Sequence, residues 1–241
     1  MTGLMIAAPR SGSGKTTVTL GLLRALKRRG VALAPGKAGP DYIDPAFHAA
    51  ASGEVCLNYD PWAMRSDMLL ANASLQSQGG RMLMIEAMMG LFDGAADGSG
   101  SAGDLAGLPV ILVIDCSGMS HSVAALARGF ANFHPDVLVP GVILNHVASP
   151  RHDGMLRQAL ENARVEVLGT LPRNDKLVLP ERHLGLVQAG ENEKLAELID
   201  DAADVMESRI DLDKLIKLAQ RAPAKPAPAN IPRLPPPGQK I

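Results

Sequence analysis

Short apolar runs alternate with longer stretches in which apolar positions recur every three or four residues, from residue 3 to about residue 208. The runs GLMIAA (3–8), VALAP (31–35), RMLMIEA (81–87), PVILVID (109–115), VLVPGVILN (137–145) and VEVLGTL (165–171) are short and almost continuously apolar, which predicts buried strands. Residues 61–77, 119–132, 150–163 and 191–208 carry helical spacing between them. A further helix is predicted from Val18, Leu22, Leu23 and Leu26. It ends in Lys27, Arg28 and Arg29, which complement its dipole, and Gly30 stops it. Strands alternating with helices predict an α/β fold, a mostly parallel sheet with helices on both faces. Such sheets bind ligands outside the carboxyl ends of their strands. Chemistry is therefore expected just after the strands.

The 241 residues are 46% hydrophobic, enough for one sizeable α/β core. A formal net charge of -1 gives no basic face for nucleic acid. Aromatic residues are only 3%, too few for a base-stacking platform. No apolar stretch approaches the roughly 20 residues of a membrane span, and MTGLMIAAP lacks a basic segment ahead of its apolar run. Two cysteines, Cys56 and Cys116, make no disulfide framework. A cytoplasmic protein with no nucleic-acid or membrane partner is expected. The tail, RAPAKPAPANIPRLPPPGQKI (221–241), turns to Pro and Ala, which suits an extended linker and not a core. The expected division is a domain over 1–220 and a linker over 221–241 that leads towards a further domain absent from this chain.

The strongest local signal is APRSGSGKTT, between the first strand and the first helix. Pro9, Gly14, Lys15 and Thr16 fit a phosphate-binding loop, with Pro9 in place of the usual first glycine. Gly12 and Gly14 let the backbone N–H groups around Arg10, Ser11, Ser13 and Thr17 approach phosphate, and the helix start adds its positive dipole. In such loops the lysine reaches the β- and γ-phosphates and the hydroxyl holds Mg²⁺, which assigns those tasks to Lys15 and Thr16. Arg10 stands where some dimeric ATPases of this kind place a second lysine; a solvated arginine is the plainer reading. A homodimer is compatible with the sequence.

Acidic residues follow the strands. KAGPDYIDPAFH (37–48) places Lys37, Asp41 and Asp44 on a segment stiffened by Pro40 and Pro45. Two such carboxylates suit Mg²⁺ or the orientation of an attacking group; turn formation is the alternative. Glu86 ends an apolar strand, where a carboxylate needs a partner or a metal. Asp93 follows in a Gly-rich loop long enough to close over a substrate, or serves as a turn residue before Gly94. Asp115 ends ILVID, and Cys116 beside it reads as a small core residue, with His121 near in sequence. Asn145 ends another strand, where its amide suits an adenine edge or a cap. Arg182 and His183 in LPERHLGL are candidate contacts for an anionic substrate.

Taken in order, APRSGSGKTT, GPDYIDPAFH, IEAMMGLFDG, VILVIDCSGMS, GVILNHV and LPERHLGLV closely resemble the synthetase domain of the cobyrinic (or hydrogenobyrinic) acid a,c-diamide synthase family over about residues 1–220. The related enzyme that amidates a nickel sirohydrochlorin falls within the same resemblance. The resemblance implies a P-loop NTPase fold akin to dethiobiotin synthetase. It implies ATP and Mg²⁺ as cofactors, phosphorylation of a corrin-precursor carboxylate to an acyl phosphate, and displacement by ammonia, first at the c and then at the a side chain. By the same resemblance Lys15 and Lys37 neutralise charge, and Thr16, Asp41, Asp44 and Glu86 hold the metal. Tyr42 and Ile43 line the substrate pocket, Asp93 handles the intermediate, and Asn145 faces adenine. The family takes its ammonia from glutamine through a C-terminal glutaminase domain. Neither EVCLNY nor IDCSGM looks like a glutaminase nucleophile turn, so residues 1–241 are expected to use free ammonia. The stretch 100–110 is shorter than the family's usual version, which affects the lid. Rival readings are a dethiobiotin-synthetase-like ligase, a partition-type P-loop switch supported by Arg10 and Asp115, and an inactive binding module.

Overall fold

The computed structural model describes residues 2–105, 107–174 and 193–220, with side chains from Leu195 onward in the last stretch. The tail at 221–241 and the candidates Arg182 and His183 lie outside the described residues. In chain order the elements are β1 (Gly3–Ala7), α1 (Lys15–Arg28), β2 (Leu33–Ala38), α2 (Asp44–Ser52), β3 (Leu57–Tyr59), α3 (Ser66–Gln76), β4 (Met82–Glu86), β5 (Val110–Asp115), α4 (Ser122–Phe133), β6 (Gly141–Val147), α5 (Pro150–Asn162), β7 (Val167–Pro172), α6 (Glu193–Arg209) and α7 (Leu212–Ala219). The strands form one sheet in the order β3-β2-β4-β1-β5-β6-β7, and every pairing within it is parallel. The chain first builds outward on one side of β1, then crosses to the other. The loop after β1 therefore lies at the point where the winding reverses, where sheets of this kind receive ligands.

Period-two alternation sends successive side chains of the central strands into separate cores. Leu4 and Ile6 of β1, Met82 and Met84 of β4, and Ile111 and Val113 of β5 pack with α1, α2, α6 and α7. Met5 and Ala7, Leu83 and Ile85, and Leu112 and Ile114 pack with α3, α4 and α5. The same parity carries Lys37, Glu86, Asp115 and Asn145 onto the α1 face at the carboxyl edge. Four strand ends thus aim polar side chains at the helix that follows the Gly-rich loop.

Several boundaries differ from expectation, each for a physical reason. The strand expected at 31–35 runs through Pro35 and Gly36 to Ala38. A Cβ at Gly36 would come 2.8 Å from Tyr59 and 3.0 Å from Ile85, so only glycine lets its neighbours close in. The segment 37–48, expected as a loop, ends in α2, because Pro45 occupies the first turn, where no N–H is needed. β3 has three residues, too few to show a period. β6 begins after Pro140 and continues past Asn145 to Val147. α7 has an Asp211 cap on the Lys214 N–H and buries Leu212, Leu215 and Leu218; it adjoins the Pro-rich tail, and no helix is expected there from the sequence. Among the described residues no helix is long and apolar enough to cross a membrane, and both cysteines are free.

Candidate active site

Gly12 and Gly14 take left-handed backbone angles, φ 75° and 87°, and turn the chain from β1 into α1. A Cβ at Gly14 would collide with the Asn145 amide. Ser13, itself buried, closes the loop by donating its hydroxyl to the Arg10 carbonyl at 3.0 Å. Asn145 Nδ2 donates to the Ser13 carbonyl at 3.0 Å, so the strand end on one side braces the loop. Lys15 leaves the first turn of α1 and donates to the Met89 carbonyl at 2.6 Å. Burial, only partly offset by Glu86, holds its ammonium below the ordinary lysine value.

A dense charged centre forms beside Lys15. Lys37 of β2 and Glu86 of β4 are register partners across the parallel pair. Lys37 Nζ lies 2.9 Å from Glu86 Oε1 and 2.7 Å from Asp44 Oδ2, with Asp41 Oδ2 at 3.9 Å. Thr16 donates its hydroxyl to Glu86 Oε1 at 2.8 Å. His48 Nε2 lies 2.7 Å from the other oxygen, Oε2. Glu86, Asp44 and His48 are essentially inaccessible to solvent. Burial alone would raise the Glu86 pKa; the Lys37 charge and the His48 hydrogen bond outweigh it and hold the carboxyl well below the usual range. Burial also works against the Lys37 charge, yet Glu86 and Asp44 push its ammonium up. Asp44 moves the other way, raised by burial and by the Glu86 charge. Asp41 is lowered despite burial, because its carboxylate accepts the N–H groups of Asp44 and Ile43.

Two cavities flank the loop. The first, about 470 Å³, is lined by Ser11, Gly12, Gly14, Lys15, Thr16, Thr17, Lys37, Asp41, Asp44, Glu86 and Ala87–Met89. The second, about 300 Å³, is lined by Gly12, Gly14, Thr17, Val18, Asn145, His146, Leu171, Pro172, Asn174, Val205 and Met206. They share Gly12, Gly14 and Thr17, so the loop backbone is the wall between a charged chamber and a mixed polar and apolar one. The first offers carboxylate and hydroxyl oxygens, the donor set of a hard divalent cation. Among the described residues no three His, Cys, Asp or Glu side chains form a ready-made metal cage.

The structure thus brings together Lys15, Thr16, Lys37, Asp41, Asp44 and Glu86 with Ser11, Gly12, Gly14 and Thr17. It places others apart. Asn145 lines the second cavity. Arg10 turns to Asp115 of its own chain, Nη2 to Oδ2 2.9 Å, where Ser117 and His146 also bond the carboxylate. Asp93 accepts the Gly90 N–H at 2.9 Å and closes a turn. Tyr42, 83% exposed, and Ile43 lie on the rim outside the lining of the first cavity. His48 was not among the expected site residues. Its signal is its place four residues after Asp44, which puts both on one face of α2, and α2 had first to be recognised.

The family profile "CobQ/CobB/MinD/ParA nucleotide binding domain" matches residues 4–187. The hydrogenobyrinate a,c-diamide synthase of a Sinorhizobium species is 63% identical over 244 residues, covering 100% of this chain and 56% of the relative. That of Brucella anthropi is 61% identical over the whole of this chain and 56% of its own, and that of Agrobacterium fabrum 49% over 99% and 56%. The chain spans about half the length of these curated relatives. Chloroplast FtsY from Physcomitrella patens superposes with a TM-score of 0.53 at 17% identity, over 84% of this chain and 65% of that one, which supports the fold alone. The loop between β1 and α1, the charged centre at its carboxyl edge and the extent of the profile match agree: the chain belongs to the CobQ/CobB/MinD/ParA nucleotide-binding domain family.

Proposed function

We propose that the chain is the ATP-dependent synthetase portion of a hydrogenobyrinate or cobyrinate a,c-diamide synthase, which phosphorylates a corrin-precursor carboxylate and exchanges the phosphate for ammonia. The observation that carries this is the Lys37–Glu86–Asp44 centre placed against Lys15 and Thr16 in a single chamber. A simple nucleotide switch needs the loop but no second buried lysine facing carboxylates. The curated relatives named hydrogenobyrinate a,c-diamide synthase support the substrate class.

A carboxylate is a poor electrophile, and phosphorylation gives it a leaving group. The protein's tasks are to hold the carboxylate in line with the γ-phosphate and to offset charge as it gathers. In this reading the loop amides of Ser11–Thr17 and Lys15 take the phosphates, and adenine occupies the second cavity. There Asn145, whose Nδ2 already holds the loop, has Oδ1 as the acceptor for the exocyclic amine. Thr16, with Glu86, Asp44 and Asp41, would hold Mg²⁺, which supplies charge neutralisation at the phosphates. Lys37 sits among these carboxylates and is the cation nearest an incoming substrate carboxylate. A chamber of about 470 Å³ that also receives a γ-phosphate has no room for a tetrapyrrole-sized ring, since pockets of that size are filled by drug-sized ligands. Only an acetate arm enters; the ring lies across the rim that carries Tyr42 and Ile43. Asp93 steadies the loop that faces it.

The test is direct. The chain is incubated with Mg·ATP, ammonium and hydrogenobyrinic or cobyrinic acid, and the products are weighed. Each carboxylate-to-amide exchange lowers the mass by about 1 Da through the covalent acyl intermediate, and two steps are expected. An unchanged mass with ATP still bound would remove either the corrin reading or the autonomy of this chain, and the same incubation with the longer protein separates the two.

A further inference from the structure

We propose that His48 is a positioning residue for Glu86: with Cys56 behind it, it locks the carboxylate so that Oε1 stays directed at Thr16 and Lys37. The inference deepens the reading above and rests on its placement of Mg·ATP at Thr16.

Three side chains meet Glu86, and they divide its two oxygens between them. Oε1 accepts from Thr16 and Lys37 at 2.8 and 2.9 Å. Oε2 has His48 Nε2 at 2.7 Å. A carboxylate only accepts, so Nε2 carries the proton. On the far side of the ring, Nδ1 lies 3.6 Å from Cys56 Sγ. Burial, with the Glu86 charge added, pushes the Cys56 thiol up to about 12; it keeps its hydrogen, and Nδ1 at 3.6 Å and the Leu57 carbonyl at 3.9 Å are the acceptors within its reach. The order Cys56–His48–Glu86–Thr16 then runs from a half-buried thiol to the hydroxyl on the phosphate loop. A hydrogen-bonded outer partner that holds a carboxylate's orientation is a usual support of a metal-site ligand.

Two features separate this role from direct chemistry. His48 is fully buried and lines neither cavity that flanks the phosphate loop, so substrate does not reach it. It also sits on α2 one turn beyond Asp44, which bonds Lys37. One helix face therefore sets both the carboxylate beside Lys37 and the donor behind Glu86. Without His48, Oε2 would lose its donor in a dry interior and the carboxylate would turn to find another, drawing Oε1 from Thr16.

The test uses His48→Leu, His48→Asn and His48→Gln in the full chain. Gln carries an amide N–H to about the place of Nε2; Asn reaches only the place of Nδ1. The readout is how far Mg²⁺ tightens ATP binding, measured by calorimetry with no corrin present, so it is independent of the amidation reading. The Mg²⁺-dependent gain is expected to fall about 10–100-fold in His48→Leu and His48→Asn, the range for lost outer partners, and to return in His48→Gln. ATP affinity without metal is expected to stay as it is, since the loop backbone sets it. If His48→Leu fails to fold, the Asn–Gln contrast decides. Equal gains in Asn and Gln variants, or a wild-type gain in His48→Leu, would overturn the proposal. Failure of amidation with these metal effects intact would count against the substrate reading alone.

Discussion

Two pairs of strand ends face the phosphate loop from opposite sides, and they are built on different principles. On one side Lys37 of β2 lies in register with Glu86 of β4. On the other, Asp115 of β5 lies in register with Asn145 of β6. Both pairs share the α1 face of the sheet. The first is sealed: the Lys37 and Glu86 side chains are 3% and 1% exposed. The second opens to solvent through Arg10, whose side chain is 67% exposed on Asp115. Desolvation makes the first pair interdependent, since either charge alone would be stranded. In the second, Asp115 keeps Ser117 and His146 whatever Arg10 does, and burial fails to stop those bonds from lowering its carboxyl. The sealed side is suited to handling charge that develops during a reaction; the open side steadies the loop and borders the second cavity.

The comparison is broken most severely at Lys37. Lys37→Met leaves Glu86 and Asp44 buried without their cation, and loss of one partner of a buried pair typically costs about 3–5 kcal/mol. Urea denaturation should show that loss, and amidation should vanish with it. A change below about 1 kcal/mol, the scale of exposed pairs, would mean that water already enters the centre and the contrast between the sides is false.

Much of this frame was legible from the chain. The strand–loop–helix at residues 3–28 is local, and its glycines, lysine and apolar period all point one way. The acids were legible as residues out of place: Glu86 at the end of an apolar strand demanded a partner. Which partner it has was not legible, because Lys37 and His48 are 49 and 38 residues away and only strand register and the α2 face bring them in. Pro40 and Pro45 disguised α2 as a loop, and hiding α2 hid His48. Asp115 ends the apolar run ILVID much as Glu86 ends its own. The acid beside Thr16 is Glu86 of β4 and not Asp115 of β5, although both strands flank β1.

A second way to sharpen the contrast is acid titration. The Glu86 carboxyl is held low, so its contribution to stability is present above the ordinary glutamate value, about 4.3, and is lost as pH falls below it towards the folded-state value. Asp44 is raised and works with the opposite sign, its stabilising share fading as pH rises past about 3.9. Lys37 titrates far above this window. Glu86→Gln should therefore flatten the acid limb of stability against pH while lowering turnover about 10²–10³-fold, the scale of a lost electrostatic group in a site. An acid limb as steep as that of wild type would show that Glu86 is not held by its neighbours.

The smallest effect is expected on the open side. Arg10→Ala removes a guanidinium that is two-thirds exposed, and exposed pairs contribute about 0–1 kcal/mol. Asp115 keeps two other donors, and Asn145 still holds Ser13, so the loop has no reason to move. Stability, ATP affinity and turnover should each stay within about 5-fold of wild type, the factor that 1 kcal/mol allows. The measurement also discriminates between mechanisms. If turnover fell by orders of magnitude with ATP affinity unchanged, Arg10 would leave Asp115 during the reaction and reach the phosphates. The open side would then be a reservoir of catalytic charge, held in cis by Asp115 until nucleotide arrives. A loss that appeared only at high protein concentration would assign that charge to a second copy of the chain. An effect within the expected range in dilute and concentrated protein alike leaves Arg10 as a surface partner of Asp115 and confines the chemistry to the sealed side.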